Sequence, residues 1–186
     1  NRIASLTERS AGSRSPALPA EAVFAKASEA PRSDFELKFV CFAGVARILS
    51  HEAGITDLAV LQAALLHDTV EDTDTTFAEI EEQFGRKVRS IVAEVTDDKS
   101  LPKQERKDQQ VLHARNCSYE AKLVKLADKL YNLRDLKRCG PTGWTEERIQ
   151  EYFVWASRVI AEVRGTNQLL ENKLDALFKE RDILSG

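Results

Sequence analysis

The stretch Leu61-Gln62-Ala63-Ala64-Leu65-Leu66-His67-Asp68-Thr69-Val70-Glu71-Asp72 decides the fold. It reads as one buried helix, because Leu61, Ala64, Leu65 and Leu66 form an apolar stripe at helical spacing. Four ionisable side chains then arrive within two turns. His67 and Glu71 stand at i and i+4 and share a face, and Asp68 and Asp72 form a second such pair. A helix that is apolar and then presents an imidazole and three carboxylates has a reason to hold charge near a core. A divalent cation is the simplest reason, since buried charge needs a partner or a metal. A solvated helix end followed by the acidic loop Asp72-Thr73-Asp74 is the other reading.

Outward from this stretch the pattern stays helical. Leu37, Val40, Cys41, Val45, Ile48 and Leu49 recur at helical spacing, and Gly54 closes that helix. Thr56 or Asp57 caps the organising helix. Asp74-Thr75-Thr76 begins a helix from Phe77 to Phe84 that Gly85 ends, and an amphipathic run through Val88, Ile91, Val92 and Val95 follows. Lys99 to Arg115 is charged, with Leu112 as one of few apolar anchors, and reads as exposed and mobile. Ser118 opens a long helix to about Leu136 that is apolar on most sides and should be central. Thr145 caps a helix through Ile160, Gly165 ends it, and Leu169 to Phe178 form the last. No segment alternates with period two. The expected architecture is all-α, a compact bundle of roughly eight helices.

Composition narrows the class. The 186 residues suffice for one well-buried domain. A net charge of −3 gives no general attraction to nucleic acid or anionic membrane. No apolar run approaches the roughly 20 residues that a membrane helix needs. Cys41, Cys117 and Cys139 are odd in number and scattered, which suits a reducing compartment, with the cytoplasm expected. Residues 1–34, with Pro16, Pro19 and Pro31, read as a divergent, disordered N-terminal segment, and residues 35–186 as the domain. The opening on Asn1 is expected of a fragment or processed product.

Asp128 sits in the apolar middle of the long helix, with Asn132 one turn on. Such an Asp is hydrogen-bonded, ion-paired or metal-bound. Lys125, Lys129 and Arg134 are the available salt-bridge partners. Packed together, the two acidic helices can offer His67, Asp68 and Asp128 to one ion.

His67-Asp68, followed about sixty residues later by helical Asp128, resembles the HD phosphohydrolase superfamily. The Glu71-Asp72 pair and the run Leu126-Ala127-Asp128-Lys129-Leu130-Tyr131-Asn132-Leu133-Arg134 resemble the hydrolase domain of the Rel/SpoT alarmone enzymes and their stand-alone animal homologues. The resemblance covers roughly Gly44 to Phe178. It implies an HD-domain bundle binding one Mn²⁺ and hydrolysing guanosine 3′,5′-bis(diphosphate) at the 3′-diphosphate, with NADPH 2′-phosphatase activity associated with the animal members. It places His67, Asp68 and Asp128 as metal ligands, and Glu71 and Asp72 as the pair that positions or activates water. Asn132, Lys103, Arg148 and Tyr152 fall on substrate-binding positions.

The sequence departs from this pattern before Gly44. Where the family has a His-Pro stretch, this chain has Cys41 and Phe42, and no histidine precedes His51. Cys41 reads as a core cysteine, with ligation the alternative, and His51 and His113 read as exposed. Loss of one ligand is expected to weaken metal binding and activity. A helical nucleotide- or partner-binding protein without catalysis and a different HD activity such as a 5′-nucleotidase are the competing readings.

Overall fold

The computed structural model describes residues 42–183, and among them there are helices and no strand. The expected tail, residues 1–34, and Cys41 lie outside the described residues. Residues 42–47 are helical and run into a π-helical turn, Ile48–Glu52 (together α1). Gly54, at φ +69°, ends it.

Caps set most of the remaining boundaries. Asp57 opens α2 (Leu58–Leu66), its carboxylate accepting the Ala59 N–H at 2.8 Å. Thr76 opens α4 (Phe77–Val95) with a reciprocal capping box to Glu79. Gly85, at φ +85° and ψ 166°, bends α4 where the sequence expects one helix to stop and the next to start. Pro102 precedes α5 (Lys103–Ala114), Ser118 caps α6 (Tyr119–Arg138), Thr145 caps α7 (Glu146–Ala161) and Asn167 caps α8 (Gln168–Lys179).

α6 is the central element and packs on α1, α2, α4, α7 and α8. Leu123, Leu126, Leu130 and Leu133 are buried on it, each side chain stabilising the fold by about 1.5–3 kcal/mol relative to exposure. Gly44 lets α1 approach α6 closely, since a Cβ there would run into the Tyr131 ring.

Two expectations need correction. The stretch from Leu61 to Asp72 is not one helix: α2 stops at Leu66, His67 and Asp68 form a turn, and α3 is the short Thr69–Asp72. Side chains take the carbonyls that a continuing helix would give to the amides of Asp68 and Val70. The His67 Nδ1–H donates to the Ala64 carbonyl at 2.8 Å, and the Thr69 hydroxyl donates to that of Leu66 at 2.7 Å. Asp68 leaves helical geometry at φ −103°, ψ 0°. Leu112 is likewise no anchor, being 65% exposed. α5 is held on α7 instead by buried Ala114 and by the Trp155 Nε1–H, which donates to the Lys107 carbonyl at 3.1 Å.

Candidate active site

The break after α2 aims His67 inward. The ring is buried, with Phe42 edge-on at 5.5 Å between centroids. Because Nδ1 is tied to Ala64, Nε2 points at two carboxylates: Asp68 Oδ2 at 3.3 Å and Asp128 Oδ1 at 3.7 Å. Neither oxygen lies in hydrogen-bond geometry, so Nε2 is buried without a hydrogen-bond partner. Burial opposes a charge on this ring. The carboxylates of Asp68 and then Asp128 outweigh it, together with the Ala64 carbonyl, and raise the imidazole to about 9.

α6 brings Asp128 to the same point. Its Oδ1 accepts from Asn132 Nδ2 at 2.7 Å and its Oδ2 from Lys129 Nζ at 2.6 Å. Burial works against its charge, but the Lys129 ammonium and the His67 ring together hold it below the ordinary aspartate value. The salt bridge and the shared His-Asp-Asp point, alternatives at the sequence level, therefore coexist. Arg134 takes no part, because it pairs with Glu52.

α3 delivers Glu71, whose Oε1 accepts the Asp97 N–H at 2.7 Å. Burial lifts its carboxyl above the ordinary glutamate value, the Asp97 amide opposes that, and the charges of Asp68 and Asp97 add to the rise. Lys99 clamps the end of α3, reaching the Glu71 carbonyl and, at 3.2 Å, Asp72 Oδ1.

These groups line a pocket of about 190 Å³ that also contains Asn132 and Tyr152. Asp72 is not among its lining residues. Lys103 and Arg148 lie in an adjoining cleft of about 550 Å³, together with Lys107 and Trp144, and Tyr152 lines both spaces. Arg148 stacks on Trp144 at 4.1 Å. Burial, with Asp128 and Asp68, pushes the Tyr152 phenol up to about 12 against the pull of Lys129, so it stays a donor at neutral pH. A cavity of about 510 Å³ between α1 and α6 exceeds the 190 Å³ pocket, but neither His67 nor Asp128 lines it, and its acids Glu52 and Asp135 are paired with arginine.

His51 is exposed and bonded to Ser50 Oγ at 2.8 Å, and His113 is exposed. Sequence reasoning missed Asp97, Gln110 and Trp155 as pocket residues and weighed Lys125 only as a salt-bridge partner. Lys125 was within reach of it, since a residue three before Asp128 shares that helix face. Asp97 was not, because it enters from the turn after α4.

The donor chemistry fits a divalent cation. Once a metal displaces the proton that the two carboxylates hold on Nε2, the imidazole nitrogen and the aspartate oxygens it faces form a mixed set that suits Mn²⁺, Fe²⁺ or Zn²⁺. Among the described residues no three such side chains stand in ready metal-holding geometry, and the Lys129 ammonium occupies the second Asp128 oxygen.

Comparison with known proteins finds relatives over most of the chain. The chain is 71% identical over 140 residues to guanosine-3′,5′-bis(diphosphate) 3′-pyrophosphohydrolase MESH1 of Xenopus tropicalis, covering 75% of this chain and 78% of that one. Its Mus musculus counterpart is 69% identical with the same coverage. The solved structure of a metazoan ortholog of SpoT, which hydrolyzes ppGpp, superimposes with a TM-score of 0.82 at 52% identity, covering 88% of this chain and 93% of that one. No described helix is long and apolar enough to cross a membrane. The HD domain model matches residues 22–157, and the chain belongs to the HD-domain family.

Proposed function

We propose that this chain hydrolyses guanosine 3′,5′-bis(diphosphate) at the 3′-diphosphate. One water is consumed, and GDP and pyrophosphate are formed. One observation carries the reading: buried His67 Nε2, without a hydrogen bond, faces Asp68 and Asp128. The names of the relatives, and their identity across most of the chain, supply the substrate.

His67, Asp68 and Asp128 would hold one Mn²⁺. When bound, a divalent ion offsets phosphoryl charge and brings the pKa of a water towards neutrality. Asn132 and Lys129 fix the two oxygens of Asp128. Glu71, lifted by burial and facing the same pocket, accepts the water's proton. Asp72, held with the Glu71 carbonyl by Lys99, keeps the end of α3 in place. Lys103 and Arg148 take up the charge of the remaining phosphates, and Tyr152 donates from the boundary between cleft and pocket. NADPH also presents an anionic phosphate on a ribose, a 2′-monophosphate, and is a second candidate substrate.

We assign this activity to residues 35–186. With Cys41 where the family has its first histidine, both metal affinity and rate should fall below those of an intact relative. The test is turnover of the bis(diphosphate) by purified protein with Mn²⁺, alongside metal content per chain. Release of pyrophosphate that disappears in D128N supports the reading. A chain that takes up no metal and releases none leaves a non-catalytic binding protein instead.

A further inference from the structure

Four carboxylates line the small pocket, those of Asp68, Glu71, Asp97 and Asp128. A substrate phosphate carries the same sign, so the pocket must supply positive charge of its own. Two lysines of α6 reach it, and they differ in one respect. Lys129 is committed, with its ammonium 2.6 Å from Asp128 Oδ2. Lys125 lies one turn earlier, is 8% exposed and lines the same pocket. Among the described residues it has no hydrogen bond and no carboxylate oxygen within 4.0 Å. The Asp97 carboxylate, its acidic neighbour, is taken by Gln110 Nε2 at 2.6 Å.

The side chain is mostly buried while its ammonium, which no described residue pairs, is left to the pocket, a placement that suits a cation meant for an anionic ligand. We propose that Lys125 is an anion-binding residue of this pocket, donating to phosphoryl oxygens of the diphosphate being cleaved. The assignment rests on the hydrolase reading above. It gives the pocket a contact distinct from Lys103 and Arg148, which lie in the neighbouring cleft. Burial and the nearby Lys129 charge disfavour the Lys125 ammonium, the charges of Asp97 and Asp128 favour it, and a phosphoryl oxygen would add a partner of the favourable sign. Cys117 also lies near it, and burial raises that thiol, keeping it neutral.

Calorimetric titration of the full chain, with Mn²⁺ in the buffer and inorganic phosphate as probe, tests this without requiring turnover. K125M should weaken phosphate binding at least tenfold, and K125R, which keeps the charge, should lose less. Where the bis(diphosphate) is turned over, KM should rise in K125M with metal content unchanged. Methionine keeps most of the aliphatic packing of the lysine stem, so the melting temperature should stay close to that of the wild type. Phosphate binding by K125M within twofold of wild type overturns the proposal, as does wild-type protein that binds no phosphate. A marked drop in melting temperature also overturns it, because it shows the amine holding the fold. Failure of the hydrolase reading shows separately, as absent pyrophosphate release while the phosphate titration still distinguishes the variants.

Discussion

Glu71 and Asp72 are adjacent in sequence yet stand in different surroundings. Glu71 faces the pocket and its carboxyl is lifted by burial, whereas Asp72 is paired with Lys99 outside it. E71Q should lower kcat by about 10²–10⁴, the usual worth of a positioned proton acceptor. D72N should cost no more than about tenfold, because it touches the clamp on α3 rather than the reacting groups. The pH profile follows from the direction of the Glu71 shift. A base works only when ionised, so the rate should fall as pH drops through a value above the ordinary glutamate 4.5. An acid limb that is unchanged in E71Q would count against this role.

Helices and their caps were largely legible. Asp57, Thr76, Ser118 and Thr145 all open helices where short polar side chains precede an apolar run. The interruption at His67 and Asp68 was not legible, because periodicity continues across it and only side-chain-to-carbonyl bonds end the helix. The point where His67, Asp68 and Asp128 meet could be anticipated from two acidic helices. The spent charge of Lys129 and the unspent charge of Lys125 could not, since both follow from side-chain reach. The junction of α1 with α6 carries a further prediction. Glu52 accepts both terminal nitrogens of Arg134, at 2.8 and 3.0 Å, and pairs with Lys173 at 3.0 Å. The Arg134 hydrogen bonds, against opposing burial and with help from Lys173, hold its carboxyl at about 2 instead of 4.5. A depressed folded-state value stabilises at pH above 4.5, and that stability is lost as pH falls towards 2. E52Q should therefore cost about 1 kcal/mol at neutral pH, discounted for solvent contact, and almost nothing at pH 2. Chemical denaturation at both pH values measures the difference.

For the molecule as a whole, metal is the quantity to follow. Binding to the folded chain alone raises its apparent stability by RT ln(1 + [L]/Kd), so the melting temperature should climb with added Mn²⁺ and return on chelation. On the proposal that Cys41 replaces the family's first histidine, C41H should tighten Mn²⁺ by about 10–100-fold. Equal affinity in the two chains would mean that three protein ligands suffice. One detail of the fold makes such experiments easier. The Trp155 ring has the ammonium of Lys129 at 4.9 Å and that of Lys107 at 5.0 Å, and it borders the carboxylate pocket. Indole emission wavelength responds to nearby charge, and Trp144 is the one other indole in the chain. With Trp144 changed to phenylalanine, Trp155 becomes a native optical probe, its colour reporting when either amine is displaced or neutralised.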